Sequence, residues 1–291
     1  MRLHDGRDLE VLSDEPANGL PLLFHSGTPT AAMLYPPLVK LARERGLRTV
    51  TYSRPGYAAS TPQPGRSVAN AAADTAAILD GLGATEFVTI GWSGGGPHAL
   101  ACAALLPERC RAAATIAGVA PYPAEGIDWL DGMGPENVEE FSLALEGQAA
   151  LVPWLEDQAK VLAAVEAQDV AASLGGLVSP VDQAAVTGEF AEYLAATFRR
   201  SVAAGVAGWR DDDLAFTRTW GFDLAAISRP VSIWQGGEDR MVPFAHGEWL
   251  ARHIPTARVH LDRKEGHLSL AVAALDRILD ELVAAGVRTG G

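Results

Sequence analysis

Hydrophobic positions in this chain follow two rhythms. Short apolar runs recur at residues 20–24, 47–52, 87–91, 112–117, 231–234 and 257–261, as expected of strands buried on both faces of a sheet. Between them, apolar residues spaced three and four apart predict helices at residues 35–45, 67–82, 97–106, 244–253 and 268–285. Ser67 is placed to cap the second of these, and Gly81 and Gly83 to end it. Near the start, residues 2–4 and 8–12 alternate around Asp5-Gly6, a dipeptide that favours a tight hairpin turn. Regular alternation of strand and helix predicts an α/β fold, a mostly parallel sheet with crossover helices on both faces.

The alternation stops after Pro121-Tyr122-Pro123. Residues 123–215 keep helical spacing, for instance at 152–165 and 189–198, and contain no convincing strand. The chain therefore divides into a core of residues 1–122 and 216–291 and an inserted helical unit of residues 123–215. Charge divides along the same line. The net charge is −13, and residues 123–215 carry all of it, with 17 acidic and four basic side chains, while the remainder is balanced. A basic face is what phosphate-backbone binding needs, so nucleic acid is not expected as a partner. The acidic block reads either as solvated helix faces or as a lid whose field disfavours anionic substrates.

Composition adds exclusions. Of 291 residues, 48% are hydrophobic and 20% charged, ordinary for a globular protein. Two cysteines, Cys102 and Cys110, cannot make a disulfide framework. No apolar run is long enough to span a membrane, and residues 1–7 lack the apolar core of a secretion signal. A cytoplasmic protein without a membrane partner is expected.

The chemistry starts at Gly91-Trp92-Ser93-Gly94-Gly95, which fits G-x-S-x-G between a strand and a helix. A turn that tight would make side chains two residues either side of the serine collide, hence the glycines. A serine hydroxyl needs a base to take its proton, and the base needs an acid to orient it. His267 follows the last strand and Asp239 follows the strand before it, so the order is Ser93, Asp239, His267. His4, His25, His98, His246, His253 and His260 compete for the base. Glu238, Asp262, Asp128 and Asp131 compete for the acid, the last two as a seat after residues 112–117.

These residues resemble those of the α/β-hydrolase superfamily, in particular capped bacterial serine hydrolases of the esterase-like kind. The resemblance is carried by Gly91–Gly95, Tyr52-Ser53-Arg54-Pro55-Gly56-Tyr57, residues 234–239 with Val242-Pro243, and Glu265-Gly266-His267-Leu268. It implies an eight-stranded sheet, a helical cap and no cofactor. It also implies Ser93 as nucleophile, Asp239 as orienting acid and His267 as base. The oxyanion hole would use the N–H of Gly94 and a second N–H from His25-Ser26-Gly27-Thr28-Pro29, that of Thr28. The chain departs from the pattern at Ser26, where histidine is usual, at Ser53, often aspartate, and at Ala58, frequently glycine.

Superfamily members include esterases, lactonases, amidases, carbon–carbon bond hydrolases and perhydrolases, and also ligand sensors that keep the triad. The expectation is a carboxylic ester hydrolase acting on a small, largely apolar ester or related carbonyl compound, as a monomer or homodimer. A slow-turnover sensor and a carbon–carbon hydrolase or perhydrolase are the alternatives. Specificity is expected from the inserted unit, whose Trp129, Phe141, Trp154, Tyr193, Phe198 and Trp209 serve either as packing or as pocket wall.

Overall fold

The computed structural model describes residues 1–14 and 18–288. The strands are β1 (Val11–Ser13), β2 (Leu20–His25), β3 (Leu47–Tyr52), β4 (Phe87–Trp92), β5 (Cys110–Ile116), β6 (Val231–Gly236) and β7 (Ala257–Asp262). They form one sheet in the order β1-β3-β2-β4-β5-β6-β7. β1 pairs antiparallel with β3, and every other pairing is parallel.

The helices are α1 (Pro36–Arg43), α2 (Asn70–Gly81), α3 (Gly96–Leu105), α4 (Pro135–Glu146), α5 (Gln148–Ala164), α6 (Val170–Ser173), α7 (Pro180–Ala185), α8 (Gly188–Val202), α9 (Ala207–Phe216), α10 (Phe244–His253), α11 (His267–Ala273) and α12 (Leu275–Arg288). Among the described residues no helix is long and apolar enough to cross a membrane.

The period-2 geometry of a strand sends alternate side chains to opposite faces. Leu22 and Phe24 of β2, with Ile90 and Trp92 of β4, pack with Leu38 of α1 and Ile278 and Leu279 of α12. Leu23 points the other way, into a second cluster with Ile78 and Leu79 of α2, Leu100 of α3 and Leu250 of α10. Leu22 and Leu23 are both fully buried, and truncating such a leucine to alanine costs about 2–5 kcal/mol.

Four sequence expectations are corrected. The sheet holds seven strands among the described residues, not eight. The Asp5-Gly6 turn forms, with Gly6 at φ 87°, and the segments beside it are joined by the Leu3 N–H to Arg7 O and Leu9 N–H to Met1 O bonds, but they make an isolated Arg2–Asp8 bridge rather than two strands. Residues 67–82 do not begin a helix at Ser67. Asn70 is the first residue of α2, and its side chain accepts the Ser67 N–H at 2.8 Å, so the intended cap is itself the donor. The long helix expected at 268–285 is two, breaking at Ala274, whose N–H ends α11 on Leu270 O.

Between β5 and β6 the chain runs through α4 to α9 without a strand. Of its acidic residues Glu140, Asp182, Asp211, Asp212 and Asp213 are buried, so solvated faces do not account for the whole acidic block.

Candidate functional site

The site forms where β2, β4, β6 and β7 end. A parallel sheet brings all its C-terminal strand ends to one edge, and the loops leaving them share that edge. β4 passes directly into a turn at Ser93, whose backbone sits at φ 55°, the left-handed region that costs a non-glycine residue of order 1–3 kcal/mol. The flanking glycines are sterically required. A Cβ at Gly91 would lie 2.2 Å from Gly95 O, and one at Gly95 would lie 2.0 Å from His25 O.

The loop after β2 lies against this turn. A Cβ at Gly27 would stand 3.3 Å from Ser93 Cβ, and one at Gly94 would stand 2.5 Å from Thr28 Oγ1. Thr28 and Gly94 therefore flank Ser93. The Thr28 N–H makes no hydrogen bond among the described residues, and the Gly94 N–H opens a helical turn, where donors have no internal acceptor.

Asp239 is buried in the loop after β6. Its Oδ1 accepts the N–H groups of Met241 and Val242, each at 2.8 Å. Its Oδ2 accepts Gln235 Nε2 at 3.0 Å and His267 Nδ1 at 2.9 Å. The competing acids Glu238, Asp262, Asp128 and Asp131 are all exposed. Three of the competing histidines have other duties. His246 is held between the Ala120 N–H and Trp129 O, and burial lowers it to about 4. His253 and His260 stack on Trp249 and Trp234.

His267 is the first residue of α11 and is almost fully buried. Burial disfavours its charged form, but the Asp239 carboxylate, the hydrogen bond to it and the Asp182 charge outweigh burial, so its pKa lies above the ordinary histidine value. With Nδ1 bonded to Asp239, His267 lines a cavity of about 130 Å³ together with Ser93, Gly94 and Thr28.

Two parts of this site were not anticipated. One is Asp182 of α7, whose carboxylate accepts the N–H groups of His267, Leu268 and Ser269 at 3.1, 2.8 and 2.9 Å. The other is Asp212 of α9, fully buried beneath the loop after β2. Arg54 Nη2 donates to it at 2.6 Å, Arg66 Nη2 at 2.6 Å, and Tyr57 OH and Thr28 Oγ1 each at 2.9 Å. Arg54 also grips Ser26 O and Gly27 O at 2.5 and 2.7 Å. Burial pushes Asp212 up, but Arg54 and Arg66 hold it well below the usual carboxylate range. The Tyr52–Tyr57 string carried a hint of Arg54, but its counter-ion lies 158 residues away.

The aromatic residues of 123–215 divide. Phe141, Trp154, Phe198 and Trp209 line the cavity. Trp129 instead donates to Ala120 O, and Tyr193 packs on Tyr35. Cavity-lining acids are Glu136, Glu140 and Asp213, and no lysine or arginine lines it.

Comparison with known proteins bears on the fold. Residues 21–274 match the family model of the alpha/beta hydrolase fold. A non-heme chloroperoxidase from Streptomyces lividans is 31% identical over 148 residues, covering 50% of this chain and 54% of that protein. A 2-hydroxymuconate semialdehyde hydrolase from Pseudomonas putida is 28% identical over 190 residues, covering 65% and 59%. The chain thus matches little more than half the length of these curated relatives. An esterase from Exiguobacterium antarcticum superposes with a TM-score of 0.64 at 17% identity, over 98% of this chain and 97% of that one, a likeness of fold. On the match across residues 21–274, this chain belongs to the α/β-hydrolase fold family.

Proposed function

We propose that this protein is a serine hydrolase of small, largely apolar carboxylic esters, working through Ser93, His267 and Asp239. The observation that carries this reading is the 2.9 Å bond from His267 Nδ1 to Asp239, made by a histidine that lines the same cavity as Ser93. Nδ1–H donation to Asp239 selects the tautomer with a bare Nε2, the form able to accept the serine proton.

In the first half-reaction, Ser93 Oγ attacks the ester carbonyl as its proton passes to His267 Nε2. The carbonyl oxygen becomes an oxyanion facing the N–H groups of Gly94 and Thr28. Each such donor is worth about 10²–10³ in rate where it has been removed from an enzyme. Collapse transfers the proton from His267 to the departing alcohol and leaves an acyl-Ser93. Water, deprotonated by His267, then releases the acid and restores the serine. Asp239 stays ionised throughout and stabilises the imidazolium.

We read residues 123–215 as a cap, because α4, α5, α8 and α9 supply the cavity wall above Ser93. Cleavage of a carbon–carbon bond is a weaker reading here, and so is a substrate like that of the 28% identical semialdehyde hydrolase. A semialdehyde of a dicarboxylic acid keeps one carboxylate, and the cavity offers it acids and no lysine or arginine. A cytoplasmic setting is also proposed, supported by two buried unpaired thiols, Cys102 and Cys110.

The test is a fluorophosphonate probe on the native protein, with turnover of 4-nitrophenyl butyrate followed beside it. A single label on the Gly91–Gly95 peptide is expected, lost together with turnover in Ser93→Ala. A label that survives in Ser93→Ala, or labelling without any turnover, as in a sensor, would defeat the reading.

A further inference from the structure

The loop that carries Asp239 is held by a side chain that the hydrolytic steps do not use. Alternate residues of β6 share a face, and Ile233 packs in the cluster that includes Leu250 of α10. Gln235 lies two residues on, on that same face, where a sheet covered by a helix ordinarily carries an apolar residue. It is fully buried. α10 makes room for it at Gly247, where a Cβ would stand 2.5 Å from Gln235 Cβ and 2.6 Å from its Cγ.

The amide nitrogen spends both of its hydrogens on one short segment. Nε2 donates to Asp239 Oδ2 at 3.0 Å and to Val242 O at 2.7 Å. The Val242 N–H in turn donates to Asp239 Oδ1 at 2.8 Å, which closes a ring of hydrogen bonds around the acid. Two acceptors decide which end of the amide faces the loop, because an oxygen there would meet a carboxylate and a carbonyl. The other end is left over: Gln235 Oε1 is buried without a donor among the described residues. An unpaired buried acceptor is a cost, and an apolar side chain of the same length would fill the space without it. What only the amide supplies is a donor on the oxygen that His267 Nδ1 shares at 2.9 Å.

We infer that Gln235 is a positioning residue for the Asp239–His267 pair, holding Oδ2 toward the imidazole and drawing part of its negative charge away from the ring. This rests on the serine-hydrolase reading and names what tunes its base. Among the described residues the charged groups that face His267 are Asp239, from the loop after β6, and Asp182, from α7, and both favour the protonated ring. His246 of α10 faces Asp239, but burial lowers it to about 4 and it is neutral near pH 7. Gln235 is the uncharged donor in this set. The positive end of its N–H dipole points at the oxygen that an imidazolium would also use, so it disfavours that cation. A larger share of His267 is then in its neutral, proton-accepting form at a given pH, with the carboxylate fixed where it selects the tautomer.

The test is Gln235→Met, which keeps the length of the side chain and removes both donors. Two readouts are followed against pH: kcat/KM for neutral 4-nitrophenyl butyrate, and the His267 ring signal of protein carrying ¹³C-histidine, identified by its loss in His267→Ala. Both midpoints should move up by about 0.5–1 in pH, the size of one lost hydrogen bond to the charged partner. The plateau of kcat at high pH should fall roughly threefold to tenfold at nearly unchanged KM, because the acid is held less firmly. A lowered plateau with both midpoints in place would reduce Gln235 to loop packing and overturn the proposal, and so would midpoints that fall. A third readout needs no variant to fold. In the ¹⁵N spectrum of the wild type, one slowly exchanging glutamine side-chain amide should change shift with the midpoint of His267, and its absence would also overturn the proposal. The hydrolase reading fails separately: no turnover on any ester would defeat it, while the two spectra would still decide whether Gln235 tunes His267.

Discussion

Asp182 caps the helix that begins at His267: its Oδ2 accepts the His267 N–H at 3.1 Å, and its Oδ1 accepts those of Leu268 and Ser269. The first N–H groups of a helix have no internal acceptor, and their dipole favours a negative charge. Ser179 Oγ donates to the same carboxylate at 3.0 Å, so the acid is oriented from its own helix as well. Gly266 leaves room for it, since a Cβ there would stand 2.4 Å from Asp182 Oδ1. A side chain from the strand-free segment thus sets the backbone on which His267 is mounted.

Removing that carboxylate should therefore damage stability and turnover together. Asp182→Ala strands the three donors in a buried site and should cost about 2–4 kcal/mol. Asp182→Asn keeps one acceptor and should cost less. Thermal unfolding and kcat measured on both variants should rank wild type above Asn above Ala. An Asp182→Ala protein with unchanged kcat would show that α11 holds His267 without this cap.

Ser93 permits a separation of strain from chemistry. Ser93→Ala should abolish ester turnover at nearly unchanged stability, because the left-handed backbone remains strained. Ser93→Gly should be equally inactive but more stable, by about 1 kcal/mol, since glycine adopts φ 55° without steric cost. Chemical denaturation of the two variants side by side checks this.

Asp239→Asn should keep the fold and lower kcat by about 10³–10⁴, since an amide can donate to Nδ1 and so favour the wrong imidazole tautomer. The Met241 and Val242 N–H groups that now fix Oδ1 would still find an oxygen. Full activity in this variant, with loss in Asp128→Asn or Asp131→Asn, would move the acid to the loop after β5.

The pH profile follows from His267. Its neutral ring is the form that accepts a proton, so kcat/KM for a neutral ester should rise with pH. Because Asp239 and Asp182 outweigh burial, the pKa is raised and the rise should be centred above the ordinary histidine value of about 6.5. In Asp239→Asn the chief opposing charge is gone, burial dominates, and the midpoint of the residual activity should fall. A midpoint that stays put in that variant would mean Asp239 does not set the histidine's titration.

The Asp212 cluster makes a prediction about the loop carrying Thr28. Asp212→Asn would leave the buried guanidiniums of Arg54 and Arg66 without their counter-ion, a change that costs about 3–5 kcal/mol when one partner of a buried pair is removed. Because Arg54 holds Ser26 O and Gly27 O, the loss should reach turnover as well as thermal stability. Equal stability of variant and wild type would mean the arginines find water instead.

Local chemistry was legible in the sequence wherever it is enforced by neighbours along the chain. The strands at 47–52 and 87–92 follow from apolar runs, and the turn at Ser93 follows from glycines whose replacement would drive atoms to about 2 Å. Strand–helix alternation sufficed for a parallel sheet, and that topology alone brings the loops after β4, β6 and β7 to one edge. Which acid meets His267 was open between Asp239, Glu238, Asp262, Asp128 and Asp131, and burial with one 2.9 Å bond decided it. Asp182, Asp212 and Asp213 looked like members of an acidic block. Only tertiary structure divides them: the first on three backbone donors, the second between two arginines, the third against Glu140 at the cavity wall. Their residue type is the same, and what differs is the set of groups that folding brings within 3 Å from far along the chain, which no local pattern encodes.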